Sequence, residues 1–336
     1  MNSDDFQSRS SHADQELIWA SVLPLRQSPA IELLDERTFL GILSPRFRKI
    51  TSCPLYYDRK TVIDDGSRLD HTLAVSRLAL EISLKLELPE EMCRYAVAWG
   101  LVHDIATWPL SHTGEAAFSS VTGVSGRKLR EMMITGDRKL PESMTVRKEL
   151  KKSNINPNIL LALFDKSTYP VESKFGPLWR MINSPLTPDS LEGIWRCARC
   201  FKVTVKKPDS WPQYFKGGSE LLPSVRKNGS RQARHFWCQK SFVYKEFINR
   251  EDVVCFESGW SEAIRNLYRE CSLVESLSLS ENDIIFSILE RGVAPSNQII
   301  RYKQPLAYST ADLSDGKAYT IGLDELHSIF KKQAKR

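Results

Sequence analysis

His103 and Asp104 stand side by side at the end of a strongly apolar stretch, Met92 to Asp104. Burying a carboxylate without a partner is expensive, so an imidazole and a carboxylate placed there need something to bind, and a divalent cation supplies it. Imidazole nitrogen and carboxylate oxygen suit one hard to borderline ion, with Mn, Fe, Mg and Zn all compatible. Two more ligands must then come from elsewhere. His71, at one predicted helix start, and Asp189, near another, are the natural candidates. A second set of ligand types, Cys197-Ala-Arg-Cys200 and His235-Phe-Trp-Cys238, has the paired short spacing of a structural zinc site that would tie down the loop between them. Against this, Cys197 and Cys200 fall on or just after a predicted core helix, where buried free thiols are common.

Helices must position these residues. Asp64-Asp65-Gly66 is a turn signal that delivers the chain into a helix carrying Arg68 and His71, and from His71 to Leu86 apolar residues recur mostly at three- and four-residue steps. Met92 to Asp104 is apolar nearly all round and predicts a deeply buried helix. Pro109 ends any continuation, and Ser111 reads as the N-cap of a helix from about His112 with Glu115 in its first turn. Further helices are expected at Gly126 to Thr135, Asn158 to Phe164, Phe175 to Ile182, Pro188 to Ala198, Ala233 to Phe247, Val253 to Leu273, Asp283 to Leu289 and Leu323 to Lys332. Val203-Thr204-Val205 predicts a short strand, and Pro208 to Gly229 a long surface loop. The expectation is an all-α fold with a few short strands around 201–230. Its organisation is a mobile tail at 1–14, a metal-binding core at 15–200, a loop or insertion at 201–232, a helical continuation at 233–307, and a C-terminal tail at 308–336.

Arg68-Leu-Asp-His71-Thr-Leu-Ala-Val, Leu101-Val-His103-Asp104-Ile, Pro109-Leu-Ser-His112-Thr-Gly-Glu115 and Leu186-Thr-Pro-Asp189-Ser-Leu-Glu192 together resemble the HD superfamily of metal-dependent phosphohydrolases. Within it they are most similar to the deoxynucleoside triphosphate triphosphohydrolases, the dGTPase-like group. Weaker resemblance runs from about Arg46 to Leu306. It implies a helical HD domain that holds its metal on His71, His103, Asp104 and Asp189. It also implies that Arg68 clamps a substrate phosphate and that His112, tuned by Glu115, acts as general acid or base. Lys245, beside Tyr244, would be a further phosphate contact. The implied reaction takes a dNTP to deoxynucleoside and triphosphate. A role in nucleotide-pool control or phage defence, and homo-oligomers, would accompany that membership.

The chain departs from the group where substrate is gripped. A basic residue usual after the last Asp is Ser190, a Tyr usual three residues further is Gly193, and a His usual after the His-Asp pair is Thr107. Other phosphohydrolase activities (nucleotidase, phosphodiesterase or nuclease) and a non-catalytic nucleotide-sensing module therefore stand as alternatives. Composition bounds the rest. With 336 residues, 41% hydrophobic and 26% charged, the chain is ordinary for a globular protein, and its net charge of +6 suits an anionic substrate without specifying nucleic acid. Lys202, Lys206 and Lys207 read as a solvated face. No apolar run approaches the roughly eighteen residues that span a bilayer, and seven Cys, an odd number, read as reduced thiols; both point to the cytoplasm.

Overall fold

The structure is a computed structural model that describes residues 13–55, 63–165, 173–183, 186–216, 224–225, 227–291, 308–311 and 318–321. It is all-α in character. The longer helices from Arg68 onward are α1 (Arg68–Lys85), α2 (Glu90–Val102), α3 (Ser111–Thr122), α4 (Gly126–Thr135), α5 (Pro157–Phe164), α6 (Gly176–Asn183), α7 (Pro188–Cys200), α8 (Lys227–Val243), α9 (Glu251–Leu267) and α10 (Glu281–Glu290). One continuous apolar core joins residues from Ile18 to Ile288. The described β structure is confined to two antiparallel ladders, Phe215–Lys216 with Ser224–Val225 and Tyr308–Ala311 with Ala318–Ile321, and the isolated bridge Thr38 to Ser67. No described helix is long and apolar enough to cross a membrane.

Several segments differ from the sequence reading. The helix expected at Val253 to Leu273 ends at Leu267, because residues 268–272 leave the helical path before the Ser272 cap of the next short helix. Val203–Val205 is not a strand; residues 203–207 are irregular, and among the described residues no strand pairs with them. The stretch read as a surface loop carries Trp211 and Phe215 into the core, where their apolar area outweighs the polar surroundings. Helix α8 begins at Lys227, six residues before the expected start. The expected helix at 323–332 and most of the N-terminal tail lie outside the described residues.

The start of α1 is fixed twice. Ser67 and Asp70 form a capping box that satisfies the first orphan N–H groups. Just before it, residues 37–39 run alongside residues 66–68: Arg68 N–H donates to Arg37 O at 2.7 Å and Phe39 N–H to Gly66 O at 3.1 Å. Helices α1 and α2 then approach closely, because a Cβ on Gly100 would come within 2.6 Å of the Ser76 backbone. Only a glycine lets the two helices meet here, and His71 and His103 lie a turn or so from this contact.

Ser111 does not cap α3. Leu110 and Ser111 both take positive φ, 60° and 51°, and Ser111 is already the first helical residue. Its hydroxyl instead donates to Thr38 O at 2.7 Å and accepts from Arg68 Nε at 3.1 Å. Glu115 falls in the second turn, too far along to cap. The strained Leu110–Ser111 entry is held by the buried carboxylate of Glu281, which accepts from Leu110 N–H at 2.7 Å, Thr38 N–H at 3.1 Å and Thr38 Oγ1 at 2.8 Å. Burial raises the Glu281 pKa while these donors and Arg37 oppose the rise. Arg37, almost wholly buried, donates to the carbonyls of Leu277 and Leu279, tying the same loop to the approach to α10.

Glu281→Ala strands two buried backbone donors, Leu110 N–H and Thr38 N–H, at once. Its expected cost is about 3 kcal/mol or more of unfolding free energy, read as a lowered denaturation midpoint with unchanged slope.

Candidate metal centre

Helix α1 brings His71, the loop after α2 brings His103 and Asp104, and α7 brings Asp189 in its first turn, where an acidic side chain also suits the helix dipole. The two imidazoles are buried. Their Nε2 atoms face each other at 3.2 Å. Asp104 Oδ2 lies 3.8 Å from His71 Nε2 and 3.6 Å from His103 Nε2. Donor atoms of His71, His103 and Asp104 all lie within 4.8 Å of one another, the spacing one metal ion requires. Asp189 Oδ1 approaches His71 Nε2 at 3.2 Å and His103 Nε2 at 3.8 Å, from outside that tight group, with its side chain half exposed.

The donor set fits a cation because of what lies behind it. His71 Nδ1 is bonded to the Glu192 carboxylate, and His103 Nδ1 donates to Gly100 O at 2.7 Å. With both Nδ1 atoms committed as donors, the neutral rings turn their Nε2 lone pairs toward the same point, an unfavourable arrangement unless a cation sits between them. Glu192, buried one turn after Asp189, is held in turn by Arg196, which donates from Nε at 3.0 Å and from Nη2 at 2.6 Å. Arg196 also donates to Asp65 O at 3.0 Å, anchoring the chain to the turn before α1. Burial raises the Glu192 pKa, but His71 and Arg196 outweigh it and keep the carboxylate ionised.

Arg68 is buried and engaged: its Nη1 donates to Asp104 Oδ2 at 2.8 Å, and its guanidinium lies 4.7 Å from the Phe39 ring centre. It orients a carboxylate of the cluster. Burial raises the Asp104 pKa, but His103, Arg68 and His71 drive it far below the usual carboxylate range. Phe39 packs against His71 at 4.8 Å, with Arg196 on the same ring at 5.6 Å. Gly193 completes this wall: a Cβ there would touch Phe39, His71 and Asp189 at 3.6 to 3.9 Å, ordinary contact distances, so the position is open beside the cluster.

His112 and Glu115 project from the first turns of α3, 56% and 45% exposed, with His112 Nδ1 3.5 Å from Glu115 Oε2. Tyr244 and Lys245 begin the π-helical turn that follows α8. Sequence reasoning missed Lys240 on α8, whose Nζ lies 3.4 Å from Ser190 Oγ, next to Asp189. It also missed the Glu192–Arg196 brace; a carboxylate three residues after Asp189, with an Arg four further on, was the available signal. Among the described residues the group able to hold an ion is His71, His103 and Asp104. Cys197, Cys200 and Cys238 are buried and in no disulfide, His235 pairs with Gln239, and among the described residues these four do not gather into a group able to hold an ion.

In overall form the chain is similar to a hypothetical protein from Aquifex aeolicus known from a crystal structure at 2.0 Å resolution. The TM-score is 0.59 with 17% identity, over 87% of this chain and 74% of that one. This likeness shows the fold alone. No protein-family model matches the chain, and no curated protein matches it.

In the metal-free chain, burial pulls the His71 pKa down, but Glu192, Asp189 and Asp104 together raise it to about 9. A group raised on folding stabilises fully below its unfolded pKa and loses that contribution as pH climbs through the folded value. Metal-free protein should therefore lose stability between about pH 6.5 and pH 9, whereas the same scan on metal-loaded protein should stay flat. Each ion bound near neutral pH should release about one proton, so affinity should rise about tenfold per pH unit below pH 9, measured by calorimetry in two buffers. Asp104→Ala should lose the ion as well as the Arg68 ion pair, which metal analysis and thermal unfolding would reveal together.

Proposed function

We propose that this chain is a metal-dependent phosphohydrolase acting on nucleotides, and that its reaction is hydrolysis of a dNTP to deoxynucleoside and triphosphate. The observation that carries the proposal is the pair of buried imidazoles whose Nε2 atoms converge on one point with Asp104, and with Asp189 at the rim. Catalytic metal sites leave positions open to solvent for water and substrate, and the half-exposed Asp189 side gives that access. His71, His103, Asp104 and Asp189 would hold one divalent ion. When bound, such an ion supplies Lewis-acid polarisation of a phosphoryl oxygen and lowers the pKa of water.

The other roles fall to side chains. Arg68, spent on Asp104 and Ser111, holds a ligand in place and adds positive charge beneath the site. His112 stands at the exposed start of α3, and a carboxylate beside its Nδ1 favours the tautomer that keeps the proton there and steadies the imidazolium. In the proposed step water attacks the α-phosphorus, the bond from phosphorus to the sugar 5′ oxygen breaks, and His112 gives its proton to that leaving oxygen. Lys240, reaching Ser190 beside Asp189, restores from α8 the positive charge that the residue after Asp189 lacks. Lys245 follows on the same segment and is the second phosphate contact in this scheme.

A second reading, another phosphohydrolase activity such as a nucleotidase or phosphodiesterase, draws support from Gly193. Gly193 puts no side chain of its own into the wall beside His71, where the group usually carries a Tyr. Incubating metal-loaded protein with each dNTP, nucleoside monophosphates and cyclic nucleotides, with products resolved by chromatography, separates the two. Inorganic triphosphate is the expected product. Orthophosphate or a monophosphate would favour the second reading, and binding without turnover would favour a sensing module. His112→Ala should lower turnover about a hundred- to ten-thousand-fold with metal content intact. Loss of metal would make His112 a ligand instead, and near-normal turnover would remove it from the chemistry.

A further inference from the structure

Helix α4 lies outside every motif that marks the metal centre, yet its Arg130 is linked to it through a run of packed rings. Gly126 and Arg130 are one turn apart on the same face, and Gly126 abuts the Glu115 side chain: a Cβ there would lie 2.8 Å from Glu115 Oε1. Helical side chains lean toward the N-terminus, so Arg130 shares the face of α4 on which Gly126 meets Glu115. The guanidinium lies 4.6 Å from the Phe164 ring centre. Phe164 packs on Trp99 at 6.1 Å, and Trp99 stacks on the His103 imidazole at 5.7 Å, so an unbroken ladder of rings connects Arg130 to a residue of the metal cluster.

The electrostatics match the geometry. Burial lowers the Arg130 pKa, and the opposing pull comes from Asp104, Glu115 and Asp189, which places the guanidinium within the field of the centre's own carboxylates. Its Nε is buried without a hydrogen-bond partner, and no described ion pair holds it. Arg127, one turn earlier, is by contrast 85% exposed and lies 3.9 Å from Asp165. A cation desolvated beside carboxylates that a divalent ion would neutralise has an obvious use for its planar fork, which is to grip an anion brought to that ion.

We propose that Arg130 is a substrate-anion contact, its guanidinium set beside the metal cluster to bind a phosphate group of the nucleotide. The identity of the anion as a nucleotide phosphate rests on the phosphohydrolase reading; the anion contact itself does not. Since Arg68 is consumed in holding Asp104, Arg130 takes the role of phosphate clamp.

Titrating inorganic triphosphate into the full chain, with magnesium in excess of the anion so that the site is not stripped, tests the proposal by calorimetry. Arg130→Gln should weaken binding about ten- to a hundred-fold with unfolding temperature near that of the parent. Arg127→Gln should change it less than about twofold, which separates a local contact from general surface charge. Arg130→Lys keeps the charge and the stem over Phe164 but not the fork, and should bind at least about threefold more weakly. If Arg130→Gln proves too unstable to assay, Arg130→Lys decides: unchanged affinity overturns the proposal. Failure of the parent chain to bind triphosphate, parental affinity in Arg130→Gln, or an equal loss in Arg127→Gln also overturns it. Chromatography of nucleotide products from the same preparations keeps the two claims apart. Triphosphate binding that depends on Arg130 without any turnover would retain the contact and remove the hydrolase reading. Turnover with binding indifferent to Arg130 would do the reverse.

Discussion

Two imidazole nitrogens held 3.2 Å apart in a buried site, each ring with its far nitrogen already hydrogen-bonded, impose the constraint on which the rest of this structure depends. In neutral form they point two lone pairs at each other. Something positive must lie between them, either a proton or a metal ion. Without metal, a proton on His71 answers the demand, which is why the carboxylates around that ring raise its pKa to about 9 against the effect of burial. Proton and metal thus compete for the same electrons, and the site's affinity for either follows from one geometry.

Holding that geometry recruits parts of the chain far from the motifs. One side is braced through Glu192 and Arg196 to the backbone of Asp65, so α7 is tied to the turn from which α1 starts. The other side is braced from Asp104 through Arg68 and Ser111 to Thr38. Thr38 and Leu110 both hang on Glu281, some 240 and 170 residues further along the sequence. Residues 37–39 are therefore a hub: they pair with the start of α1, carry Phe39 under His71 and receive the carboxylate at the head of α10. Two buried groups, Arg37 through Nη1 and Nη2 and Glu281 through its carboxylate, bond to backbone and side-chain partners, and each fixes the loop that fixes the site.

The surroundings separate holding from reacting. Groups beneath the cluster are buried and fully engaged. Asp189, His112 and Glu115 are half exposed, and the cations Lys240 and Arg130 come from helices that bear no part of the motif. Cations beside a compact group of metal-ligand side chains are what the proposed reading, a multiply charged anion as substrate, calls for.

The sequence by itself determined the helical class, because apolar residues at three- and four-residue steps have to face a core, and it determined the metal-cluster residues. His103-Asp104 at the end of an apolar helix is a local chemical contradiction that a cation resolves, so it is visible without any fold. Helix boundaries were legible to within a few residues for α1, α2, α4 and α7, where capping and periodicity agree. Only the tertiary structure decided which groups serve the cluster from a distance. Ser111 looked like a cap by type and position, yet the strained backbone at Leu110 turns its hydroxyl to Thr38 and Arg68. Arg68 was legible as a cation one turn before His71, but that its guanidinium lies on Asp104, and that Arg130 on a helix outside the motifs feels the same carboxylates, is set by the fold. The paired Cys and His spacing at 197–238 allowed either a zinc site or buried core thiols, and Cys197, Cys200 and Cys238 are buried in the core. In each case the side chain's type set what it can bind, and its partner was set by which element the fold lays across it, a quantity that local spacing does not contain.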